Sequence, residues 1–160
     1  MSSLFPARPV PRPLFDRLED HEPDQKREPR PLSTLDRKEL LESVRQELER
    51  LLNTRASRLP HRPAGLPRTV IDYGLHDPTH WSPHDPDDRR RLAADIAEAV
   101  RAYEPRLSDV RVTVAPLPEQ PEVLGATIEG RLVGDTVAEP VSFLTAFAHD
   151  LEGAQVHARS

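Results

Sequence analysis

Glu104 and Arg106 stand on either side of Pro105, and a carboxylate and a guanidinium so placed can do three kinds of work. They can form an ordinary exposed ion pair, worth at most about 1 kcal/mol. They can clamp a partner protein, because a fixed carboxylate and a bidentate-capable arginine suit polar docking. Alternatively, Glu104 can act as general acid in a lysozyme-like, peptidoglycan-cleaving hydrolase, with Asp109 or Asp72 as the second carboxylate. That third use needs a pocket that keeps the acid protonated at neutral pH. A pairing arginine favours the ionised form instead, so the local chemistry argues against catalysis. The chain carries 27 acidic residues, so the existence of a second carboxylate decides nothing. It has no G-x-S-x-G, P-loop, dinucleotide fingerprint or cysteine nucleophile.

His76, His80 and His84 recur at every fourth position, with Asp77, Asp85, Asp87 and Asp88 around them. Histidines at i and i+4 on a helix can share a metal ion. Pro78 and Pro83 interrupt any helix here, and no apolar period supports one. A solvated loop is expected, with no metal and no other cofactor.

The elements that position these residues follow from periodicity. Leu40, Leu41, Val44, Leu48, Leu51 and Leu52 recur at helical spacing, with charged residues filling the other face. Asp36, with Glu39 three residues on, offers a capping box, and the helix should end near Asn53 or Arg55. Residues 56–86 read as loop, with a short extended piece from Thr69 to Leu75 closed by Gly74. Asp85 and Pro86 then supply the N-cap and first position of a second helix, whose Leu92, Ile96, Val100 and Tyr103 share a face. Pro105 stops that helix at Glu104. Beyond it the period changes to two. Val110, Val112 and Val114 make one strand, Leu124, Ala126, Ile128 and Leu132 a second, and Val141, Phe143, Thr145 and Phe147 a third. A short fourth strand is expected at Gln155–His157. Residues 115–121 are rich in proline and read as a connection; Pro140 suggests a strand end or edge. The fold class is α+β, two main helices packed on a small antiparallel meander.

The chain divides at residue 33. Residues 1–33 hold seven of the 18 prolines and cannot bury enough apolar surface to offset their ordering entropy. Within them Leu14, Phe15 and Leu18 share one helical face, either incidentally or as a short motif that docks on a partner. Residues 34–160 form the globular unit. A net charge of −5 argues against nucleic-acid binding, which needs a basic surface. No apolar run approaches the roughly 20 residues of a membrane span, so direct membrane insertion is not expected. The N-terminus carries no apolar signal core, and cysteine is absent, which suits a reducing, cytoplasmic setting.

Five ordered stretches resemble the TssE family, small baseplate subunits of bacterial type VI secretion systems related to phage baseplate wedge proteins. They are Leu14-Phe15-Asp16-Arg17-Leu18, Ser43 to Arg55 with its "LLNTR" ending, Val70 to Leu75, Glu104-Pro105-Arg106-Leu107, and Phe143-Leu144-Thr145 with Asp150 to Gly153. Asp72 and His76 depart from the family's asparagine and proline. The resemblance implies a non-enzymatic structural subunit that joins TssF and TssG in the wedge and helps start the TssB–TssC contractile sheath. It implies that Glu104, Pro105 and Arg106 anchor the protein to the wedge core, that Leu14, Phe15 and Leu18 belong to a further docking motif, and that a sheet edge pairs with a sheath strand. On this reading Pro105 turns both charged side chains outward, toward the partner.

Overall fold

The apolar stripe from Leu40 to Leu52 folds as α1 (Arg37–Asn53), and the stripe from Leu92 to Tyr103 as α2 (Pro86–Tyr103). The computed structural model describes residues 10–11, 34–35, 37–56, 68–76, 82–133, 139–147 and 155–159. The Leu14, Phe15 and Leu18 motif, the Asp36 cap, His80 and the stretch from Asp150 to Gly153 lie outside them. In residues 1–33, Val10–Pro11 (β1) pairs antiparallel with Thr34–Leu35 (β2).

Asp85 caps α2 through its side chain, which accepts from the Asp87 amide at 2.8 Å, and Pro86 occupies the first turn. Asp87 and Asp88 add negative charge where the helix dipole is positive. Four strands follow: β3 (Leu107–Leu117), β4 (Gln120–Leu132), β5 (Glu139–Phe147) and β6 (Gln155–Arg159). They pair antiparallel in the order β3-β4-β5-β6, a meander, and the protein is α+β with two helices over one sheet face. α2 lies along β3 and α1 along β6. Between helices and sheet a single core forms from Val44, Leu48, Leu92, Ile96, Ile128 and Phe143 with their neighbours. The other sheet face carries Arg111, Thr113, Glu129 and His157, all exposed.

Two local expectations are corrected. The first is the proline-rich connection at 115–121, most of which is strand: β3 runs through Pro116 and β4 contains Pro121. Proline is tolerated here because β3 is an edge strand and the ladder shifts register between Pro116 and Leu117. Pro121 follows that shift, where it displaces no ladder bond. The second is the extended piece at 69–75, where Val70–Asp72 instead forms a 3-10 turn. The buried Asp72 carboxylate accepts from the Thr69 amide (2.7 Å) and hydroxyl (2.9 Å), which closes the turn on itself. Pro140 stands second in β5, beyond the reach of β6, whose ladder begins at Ser142.

Candidate functional site

Glu104 and Arg106 meet at the corner between α2 and β3, and they meet inside the protein. Glu104 is 2% exposed and the Arg106 side chain 16%. Arg106 Nε donates to Glu104 Oε1 at 2.7 Å and Nη2 to Oε2 at 2.5 Å, a bidentate pair. The Arg106 amide adds a third bond to Oε1 at 3.1 Å. The expectation that both side chains face outward is therefore overturned. The helix ends with the Glu104 amide still bonded to the Val100 carbonyl at 2.8 Å, a geometry that turns its side chain back toward the core. Arg106 follows, and its Nη1 reaches Ser43 Oγ on α1 at 2.9 Å. The Arg106 carbonyl accepts from the Val133 amide beyond β4 at 2.8 Å. One ion pair thus joins the end of α2, the start of β3, the middle of α1 and the end of β4. Of Glu104, Pro105 and Arg106 only Pro105, at the tip, is exposed.

This geometry also bears on the hydrolase alternative. Both Glu104 oxygens are engaged by Arg106, and the carboxylate lacks the access that a proton donor to a polysaccharide needs. Asp109 is exposed on β3, and Asp72 spends its carboxylate within its own turn.

Two more of the singled-out stretches converge beside this corner. The Leu75 amide donates to the Thr54 carbonyl, and the Ala56 amide to the Leu75 carbonyl, each at 2.9 Å, so Arg55 and Leu75 form a parallel bridge. Gly74 makes that approach possible. Its φ is +110°, and a Cβ there would lie 2.2 Å from the Thr54 carbonyl oxygen. Tyr73 meets Tyr103 edge to face with ring centres 5.1 Å apart, and the Tyr103 hydroxyl donates to the Thr69 carbonyl at 2.6 Å. Burial, with the charge of Glu47 nearby, pushes the Tyr73 phenol above its ordinary value.

A second buried cation, absent from the sequence reading, secures the same segment. The Arg68 side chain is 2% exposed and pairs with Asp95 at 2.5 Å and Glu98 at 3.2 Å, both on α2, while its Nη1 donates to the Gly74 carbonyl at 3.0 Å. Burial works against its charge, but the bonds to Asp95 and Glu98 outweigh that and hold the guanidinium above its ordinary value. His76 joins this group, its amide and Nδ1 both bonded to Asp95. His84 is exposed, and the described residues contain no cluster of metal-ligating side chains. Arg68 and Asp95 are 27 positions apart, so no local pattern could reveal the pair. The nearest sequence signal is a lone arginine before a valine-isoleucine run.

Comparison with curated proteins finds no match. Among solved structures, one described as the baseplate complex from the type VI secretion system contains a chain 24% identical, with a TM-score of 0.49, covering 68% of this chain and 94% of that one. The profile of the family described as baseplate wedge protein gp25 matches residues 38–137, from the start of α1 past the end of β4, and the chain belongs to that family.

Proposed function

We propose that this chain is the TssE-type subunit of a type VI secretion baseplate wedge. It is a non-enzymatic part that links the TssF–TssG wedge core to the first layer of the TssB–TssC sheath and helps to start sheath polymerisation in the cytoplasm, beneath the inner membrane. The family match over residues 38–137 carries this reading. The stretches that resemble the TssE family add to it, since three of them meet around one corner: Ser43 to Arg55, Val70 to Leu75 and Glu104 to Leu107. Glu104, Pro105 and Arg106 serve docking by fixing the shape of that corner, with Pro105 at its exposed tip, rather than by offering two free charges. Leu14, Phe15 and Leu18 supply a separate apolar contact.

The test is affinity capture of the full-length protein from its native host, with the co-eluting proteins identified. TssF and TssG are expected in the eluate. Capture of abundant, folded protein without either of them would overturn the assignment.

A further inference from the structure

Among the described side chains, three large aliphatic ones are exposed: Val70 at 88%, Ile71 at 59% and Val133 at 44%. They come from two distant parts of the sequence, yet all are tied to the corner at Pro105. The carbonyl of Thr69, which precedes Val70, accepts from the Tyr103 hydroxyl at 2.6 Å, and Tyr103 stands two residues before Pro105. The Val133 amide donates to the carbonyl of Arg106, the residue after Pro105, at 2.8 Å. Pro105 is itself exposed. Apolar side chains scattered singly over a surface need no explanation, whereas a gathering of them around one point does.

The Val70–Ile71 pair is also held rigid. Two residues before it, Arg68 is anchored on α2 by its bonds to Asp95 and Glu98. Asp72 closes the turn through Thr69, and Leu75 is bonded to Thr54 and Ala56. The chain is therefore fixed on both sides of the pair, and β-branched side chains are stiff at their first torsion. Docking such a pair costs little ordering entropy, so the gain from covering it appears as affinity. Neither residue belongs to the buried core. The charges of the corner face each other, Arg106 against Glu104, and ask for no counter-charge from outside.

We propose that Val70, Ile71 and Val133, with Pro105 between them, form an apolar ridge that seats in a neutral, apolar groove of a partner protein. The ridge makes the contact, and the Glu104–Arg106 pair beneath it is the support. A second copy of the chain does not fit, because a symmetric contact sets a patch against itself and a projecting turn does not fill its own image. The inference rests on the baseplate reading, which makes the partner a wedge subunit.

The test is capture of the full-length protein from its native host at matched amounts, with recovered TssF and TssG quantified. Val70→Asn combined with Ile71→Asn is expected to lower that recovery roughly tenfold, and Val133→Asn alone about threefold. Val70→Leu combined with Ile71→Leu keeps the apolar surface and should stay within about twofold of wild type. Thr113→Asn, exposed on the open sheet face about 20 Å along β3 from the corner, should change nothing. All of these variants should keep the wild-type circular dichroism spectrum and thermal midpoint, since every replaced side chain is exposed. Undiminished recovery by the double asparagine variant, or an equal loss in the double leucine variant, would overturn the ridge and leave the baseplate assignment standing. Sedimentation of the purified protein as a dimer that the double asparagine variant returns to monomer would also overturn it, by making a second copy the occupant. Absence of TssF and TssG from the wild-type eluate is instead the failure of the baseplate assignment, and the ridge falls with it.

Discussion

A carboxylate buried to 2% exposure survives in a protein only if its charge is answered, and Arg106 answers that of Glu104 with three donors. The partnership is asymmetric in its consequences. Removing one member leaves the other partly buried without its counter-charge, whereas removing both in favour of apolar groups removes the problem. Glu104→Ala is therefore expected to destabilise the protein by about 3 kcal/mol, the lower end for a broken buried pair because Arg106 retains some solvent contact and Ser43. Glu104→Leu combined with Arg106→Met should cost less than either single change, despite the lost bond to the Arg106 amide. Urea unfolding measures this, as a fall in midpoint at unchanged slope. A double variant as unstable as the sum of the singles would show that the pair is not coupled. The identity of these residues was legible in the sequence, and so was the corner that Pro105 makes. The direction in which they point was not, because the burial of a side chain at a helix end depends on what arrives from elsewhere. Here that is Ser43, 63 positions away.

At the level of elements, β3 shows how one residue resets a strand. Leu107 and Val110 are both buried although they are three positions apart, which a period of two forbids. The bulge at Asp109 absorbs the extra residue and returns Val110, Val112 and Val114 to the core side. Aspartate tolerates the left-handed backbone there better than most residues, since its short polar side chain can bond locally, and glycine tolerates it best. Asp109→Gly is expected to change stability by less than about 0.5 kcal/mol, while Asp109→Val should cost at least roughly 1–2 kcal/mol, read as a drop in thermal or urea midpoint. Equal effects of the two substitutions would mean that the backbone conformation is not what matters. Both helices and the first three strands of the meander are visible as periodicities, because each buries one face against a single core. The prolines hid the hairpin between β3 and β4. Proline normally signals a loop, and only the edge position of β3 and its register shift make Pro116 and Pro121 acceptable within strands. Likewise Val70–Asp72 reads as extended because β-branched residues favour that backbone, while the bonds that decide for a 3-10 turn come from Thr69 and Asp72.

For the whole molecule the question is which part carries the stability and which the assembly. The buried cluster begins at Leu40 on α1 and ends at Val156 on β6, and the corner, the Gly74 crossing and the Arg68 pair all fall between those limits. Among the described residues, the contribution of 1–33 is the two-residue ladder between β1 and β2. A ladder that short adds on the order of 1 kcal/mol. A chain beginning at Thr34 is therefore expected to fold with the same circular dichroism spectrum and a thermal midpoint within about 4 °C of the full-length protein. If Leu14, Phe15 and Leu18 form a docking motif, the same truncation should lose a partner from the captured complex while keeping its fold. Replacing Phe15 with Asp in the full-length chain should have that effect alone. Unfolding of the shortened chain would place part of the stability in residues 1–33 and refute the division at residue 33. Undiminished capture by both variants would instead leave the division intact and remove the docking role from those three residues.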